Sequence, residues 1–186
     1  MIIDRYPKEE IWKEILQRPA LNVSGLYDNV QAILDRVRED GDKALFEYEK
    51  MFDKIELQTL AVSEKELAEA AQSVSEELKT AIQTAAKNIE KFHSAQKQEF
   101  KKIETTPGVT CWQKAVPITS VGLYIPGGSA PLFSTVLMLA IPARIAGCSE
   151  IVLCTPPDKN GNINPAILYA AQVAGVNRFF KLGGSQ

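Results

Sequence analysis

The residue types that could do chemistry in this chain gather mainly at one place, Tyr124-Ile125-Pro126-Gly127-Gly128-Ser129, where a short apolar run breaks into a glycine loop. A Gly-Gly-Ser loop that leads into a helix offers bare backbone N–H groups and a positive dipole end to a phosphate. It is not the G-x-G-x-x-G fingerprint, and Gly-Gly-Ser also serves plain turn geometry, so by spacing alone a turn is favoured over a phosphate cradle. Tyr124 could stack on a cofactor ring or fill the core face of its strand, and by residue type alone the core reading is preferred. His93 is the single histidine. It follows Phe92 at the edge of an apolar stripe with no Cys, His or Asp cluster near it in sequence, which reads as a surface or half-buried histidine rather than a ligand or base. Cys111, Cys148 and Cys154 are odd in number and match no C-x2-C spacing, so neither a disulfide framework nor a zinc cluster is expected. Cys148 at a helix end and Cys154 in an apolar strand read as small packing groups.

The elements that must position the glycine loop alternate. Ser120–Ile125 reads as a strand, Pro131–Ala146 as a helix with Pro131 at its first position, and Glu150–Cys154 as a strand. Pro156–Asn164 then reads as a loop, Pro165–Val173 as a helix and Asn177–Leu182 as a third strand. This is βαβαβ, half of a doubly wound α/β sheet. Ligands of such sheets bind outside the carboxyl ends of the strands, here the loops at Tyr124–Ser129, Thr155-Pro156-Pro157 and Gly183–Gln186. Ahead of this unit, Val109–Val116 alternates after a Pro107-Gly108 turn and reads as a strand, one arm of a hairpin.

From Lys8 to about Gln98 the apolar period is helical. Gly41 and the Phe52-Asp53 region mark turns, Ser63 with Glu66 is a capping-box signal, and Ser75 precedes Glu76 and Glu77 in a first turn. Four or five one-faced helices are expected before residue 100, with no chemistry of their own.

The whole is 186 residues long, 45% hydrophobic and 24% charged, with a net charge of -2. That composition disfavours disorder, collagen-like repeats and a nucleic-acid-binding excess of basic residues. The average hides a seam. Residues 1–118 hold 17 Lys/Arg against 21 Asp/Glu, a net of -4, whereas residues 119–186 hold 4 against 2, a net of +2, and eight of the eleven glycines. The second part must therefore bury most of its surface, in its own sheet or against further protein. The division expected is a mainly helical segment, 1–118, forming part of a first domain, and an incomplete Rossmann-like unit, 119–186. The chain lacks a signal-peptide pattern and any run of about 18 apolar residues. A soluble protein of a reducing, cytoplasmic compartment is expected. The sequence stops at Gly183-Gly184-Ser185-Gln186, where an alternating unit should begin its next helix, so a truncated chain is expected.

The run from Ser120 to Ala146 closely resembles histidinol dehydrogenases. The likeness continues through Gly147–Pro157, Ile167–Gln172 and Gly183–Gln186, and back through Asn88–Gln96 and Gly108–Cys111. It covers nearly the whole chain except a divergent loop around Asp158–Asn164. The resemblance implies a zinc-dependent homodimer that oxidises L-histidinol to L-histidine through the aldehyde, in histidine biosynthesis, using two NAD in succession. It also implies incomplete Rossmann-like domains of the aldehyde-dehydrogenase-like type. The family's cofactor-binding tyrosine falls on Tyr124, and its glutamine after Gly-Gly falls on Gln186. Its catalytic glutamate and histidine, its zinc ligands and its substrate contacts fall beyond Gln186, so the resemblance assigns no catalytic or metal residue here and implies that these residues alone are inactive. Two other readings stand beside it: a non-catalytic nucleotide-binding or assembly module, and a dehydrogenase of the same fold acting on another alcohol. No membrane or nucleic-acid partner is expected.

Overall fold

The computed structural model describes residues 5–18, 24–128 and 130–184. Five α-helices come first: α1 (Glu9–Ile15), α2 (Ser24–Asp40), α3 (Asp42–Tyr48), α4 (Glu64–Ser73) and α5 (Glu76–Ser94). Gly41 splits α2 from α3 with φ of 58°, which a side chain disfavours. After α3 a π-helical turn, Glu49–Asp53, adds one residue to the winding and stops at Lys54, which is left-handed at φ 58°. Tyr48 and Phe52 stack across that turn with ring centroids 5.3 Å apart.

The capping signals are realised. The Ser63 hydroxyl accepts the Glu66 N–H at 3.3 Å, and the Glu66 carboxylate accepts the Ser63 N–H at 2.9 Å. The Ser75 hydroxyl likewise accepts the Leu78 N–H at the start of α5. These bonds satisfy donors that a bare helix start would leave orphaned.

Next, β1 (Ile103–Thr106) and β2 (Val109–Cys111) form an antiparallel hairpin around the Pro107-Gly108 turn, with Gly108 at φ 83°. The strand expected to run to Val116 ends at Cys111, because β1 offers partners only that far. The βαβαβ unit follows as β3 (Ser120–Tyr124), α6 (Phe133–Ala146), β4 (Glu150–Thr155), α7 (Pro165–Ala174) and β5 (Arg178–Lys181). The sheet is parallel in the order β3-β4-β5. Pro131 lies two residues ahead of α6 rather than at its first position, since Leu132 between them holds a non-helical ψ of 49°. The other helix starts as read: Asn164 caps α7 by accepting the Ala166 N–H at 2.9 Å, with Pro165 at the first position.

Strand alternation sorts the sheet into two faces. Ile151, Leu153 and Thr155 of β4 are buried, and Ile151 and Leu153 share one core with α6 and α7. Leu67, Ala70, Ile82 and Ala86 of α4 and α5 join the same core from the far side of those helices. On the opposite face Tyr124, Cys154 and Phe180 pair in register as one row at the carboxyl ends of the strands. The free flank of β5 is taken by Leu60–Val62, which pairs antiparallel with it: Val62 N–H donates to Phe179 O at 3.0 Å and Lys181 N–H to Leu60 O at 2.7 Å. Not all the charge-poor surface is covered, for Met138 and Leu139 of α6 are exposed.

Candidate functional site

The carboxyl ends of the strands open on a cleft of about 970 Å³. Tyr124, Gly127 and Gly128 form one lip, Pro156 and Asp158 a second, and Asp53 the wall. The loops after β3 and β4 meet closely: a Cβ on Gly127 would lie 2.7 Å from the Pro156 ring. Asp158 makes its own loop rigid by accepting the N–H groups of Asn160 and Asn162 at 2.8 and 2.9 Å. This is the divergent loop of the sequence, and its turn is completed by Gly161 at φ 81°.

Tyr124 is not a core residue. Its neighbours Leu123 and Ile125 point toward α6 and α7, whereas Tyr124 faces the cleft and stays 38% exposed. The core reading that its type suggests is corrected by strand parity, because Leu123 already occupies the inward position opposite Leu153. Burial first, then Asp53 and Glu49, push the Tyr124 phenol upward, so it stands as a neutral hydroxyl. Gln186, together with Ser129 and Ser185, lies outside the described residues.

The helical segment, read as free of chemistry, sends acidic groups to the site. Asp53 and Glu69 line the cleft and Glu66 stands beside them. The Glu66 carboxyl is pushed up by burial but held below the usual range by Lys181 and by its bonds to Ser63. Glu49 is 1% exposed behind Asp53. No spacing rule joins Glu49 and Asp53 to Tyr124 in sequence; the antiparallel docking of Leu60–Val62 on β5 and the Gly183 N–H bond to Glu49 bring the π-helical turn to the strand ends. The remaining candidates behave as packing or surface groups. The His93 Nδ1–H donates to Gln96 Oε1 at 2.8 Å, and the ring meets Phe92 edge-on. Cys148 and Cys154 are half-buried, and burial raises the Cys154 thiol. Among the described residues no three His, Cys, Asp or Glu side chains gather as a metal site.

A parallel sheet with a glycine loop and a strand-end tyrosine lining one cleft defines the class: an α/β unit with a cleft at the carboxyl edge of its sheet. A family model, histidinol dehydrogenase, matches residues 16–186. The histidinol dehydrogenase of Bacteroides thetaiotaomicron is 62% identical over all 186 residues, which span 44% of that protein. That of Mannheimia succiniciproducens is 55% identical over 179 residues, 96% of this chain and 41% of that one. The crystal structure of histidinol dehydrogenase from Elizabethkingia anophelis superposes with a TM-score of 0.92 at 53% identity, covering 97% of this chain and 42% of that one. The chain belongs to the histidinol dehydrogenase family, and it spans less than half the length of these relatives.

Proposed function

We propose that this chain supplies the helical shell and much of the NAD site of a dehydrogenase that oxidises L-histidinol to L-histidine. The observation that carries the reading is Tyr124. Within the family's Leu-Tyr-Ile-Pro-Gly-Gly pattern it stands at the lip of the strand-end cleft rather than in the core.

The cleft's residues fit a dinucleotide. Its volume suits a cofactor of that size, Gly127 and Gly128 leave backbone accessible, and the Asp53 carboxylate on the wall suits ribose hydroxyls. Bound NAD would supply hydride acceptance; this chain's part is to bind, orient and shelter it. Tyr124 offers a ring face for stacking and a neutral hydroxyl. Gln186, on which the family's glutamine after Gly-Gly falls, is proposed as the second cofactor contact. In this division 119–186 is the cofactor unit and 1–118 the helical part of the first domain.

Zinc does not fit the donors present. A catalytic zinc site takes three protein ligands of His, Cys or carboxylate type, and the described residues bring no such group together. No step through zinc is derived from this chain. The base, the metal and the substrate contacts belong to sequence of the complete enzymes that these residues do not include. The complete protein is proposed to be a cytoplasmic homodimer. No helix among the described residues is long and apolar enough to cross a membrane.

The test uses the natural gene product. Titration with NAD should show saturable binding, and histidinol should drive NADH formation only in a product that extends through the family's full length. Full activity from residues 1–186 alone would overturn the assignment of the chemistry to the part of the relatives that these residues do not span. Absent NAD binding in the full-length product would overturn the cofactor reading itself.

A further inference from the structure

Glu49 stands out among the buried groups of the described residues. It is 1% exposed, its Oε1 accepts the Gly183 N–H at 2.7 Å, and its Oε2 has no hydrogen-bond partner among the described residues. Burying a carboxyl is costly unless it is hydrogen-bonded, so the bond that Glu49 makes to Gly183 should be worth the burial. That bond solves a defined problem at the exit of β5. Lys181 N–H donates to Leu60 and Leu182 N–H to Thr155, but at Gly183 the backbone leaves both ladders while still buried. A buried N–H must find an acceptor, and Glu49 provides it from across the chain. Asp53, four residues later on the same π-helical turn, packs its carboxylate against Gly183 so closely that a Cβ there would clash with Oδ2. One turn thus holds one glycine by a hydrogen bond and by shape, and π-helical turns of this kind recur at functional sites.

We propose that Glu49 is a positioning residue of the cofactor cleft, fixing where the chain leaves β5 by anchoring Gly183. Glu49 does not line the cleft. It acts through Gly183 and through two residues that do line it: Asp53, packed on that glycine, and Thr155, bonded to Leu182. The requirement is for an acceptor at Oε1, which an amide meets and a thioether does not. Burial and Asp53 push the Glu49 carboxyl upward while the Gly183 N–H draws it down, which agrees with a group serving as acceptor rather than as a charge. The inference rests on the reading of the cleft as an NAD site.

The experiment measures NAD affinity by calorimetry in the natural full-length product and in its Glu49→Gln and Glu49→Met variants. Glu49→Gln should bind within about twofold of the parent, and Glu49→Met about tenfold more weakly, the scale set by loss of one buried hydrogen bond. At saturating NAD the Glu49→Met enzyme should keep its kcat, the loss falling on the KM for NAD. Equal NAD affinity in folded Glu49→Met and parent would overturn the positioning role, as would a tenfold loss in Glu49→Gln. Should Glu49→Met not fold, amide exchange decides: the Gly183 N–H should be slow in both the parent and Glu49→Gln, and fast exchange there in the folded parent overturns the anchor. A parent that itself binds no NAD overturns the cofactor reading instead, leaving the two failures distinct.

Discussion

Lys181 at the end of β5 and Glu66 in the first turn of α4 form an ion pair, with the lysine side chain 9% exposed. The same carboxylate takes the Ser63 N–H and hydroxyl, so one side chain both starts a helix and ties it to the sheet. Replacing it removes a cap and strands a buried ammonium together. Glu66→Ala should cost about 2–4 kcal/mol in urea unfolding, combining the usual cost of a lost cap with that of a broken buried pair. Lys181→Met, which keeps the buried stem and leaves a partly exposed carboxylate, should cost less. Equal losses would show that the ion pair alone matters and that the cap adds nothing.

The pair also sets a pH dependence. The Glu66 carboxyl is held below its ordinary value in the folded chain, so its contribution is present above the unfolded carboxyl range and is lost as pH falls through the folded value. Glu49 has the opposite sign. Its carboxyl is raised by burial and by Asp53, so its contribution is whole below the ordinary carboxyl range and is lost as pH rises through the raised value. Glu49→Gln should therefore flatten the decline of stability on the alkaline side, whereas Glu66→Gln should flatten the decline on the acid side. Denaturant midpoints at several pH values between about 4 and 8 check both.

Gly183 is a matter of space rather than of backbone dihedral. Gly183→Ala would drive a methyl into Oδ2 of the Asp53 carboxylate, 3.1 Å from its Cγ, and should destabilise by about 1–3 kcal/mol. Asp53→Ala in the same molecule should return most of that loss. A double-mutant cycle with no coupling would place the cost elsewhere.

Tyr124 separates binding from folding. Half-exposed at the end of an edge strand, its loss in Tyr124→Ala should cost no more than about 1 kcal/mol of stability. NAD affinity should fall about tenfold in that variant, at the scale of one lost stacking contact with a base or ring, and remain near the parent in Tyr124→Phe if the ring face is what binds. Weak binding in Tyr124→Phe would assign the role to the hydroxyl.

The βαβαβ order was legible because each strand is a short β-branched or aromatic run ended by Gly, Pro or Asn, and each helix ends at Gly147 or Gly175 in the left-handed conformation. The capping box at Ser63 was legible for the same reason: it is local. Tyr124 was harder, since its face depends on strand parity, and only the family pattern pointed it to the cleft. Glu49 and Asp53 were illegible. Their significance lies in contacts 134 residues apart along the chain for Glu49 and Gly183, and nothing in an acidic helical turn announces such a partner. The π-helical winding that aims both carboxyls the same way leaves no sequence signature in Glu49–Asp53.

The pairing of Leu60–Val62 with β5 bears on how the molecule is made. The sheet's last strand is bordered by a segment synthesised more than a hundred residues earlier, so its outer hydrogen bonds wait for the end of the βαβαβ unit to emerge. Until then Leu60–Val62 is an unpaired extended stretch, and afterwards it is what keeps β5 from offering its edge to another molecule. Cutting the chain between Lys54 and Thr59 would uncouple that seal from the π-helical turn, and the first symptom should be self-association through β5.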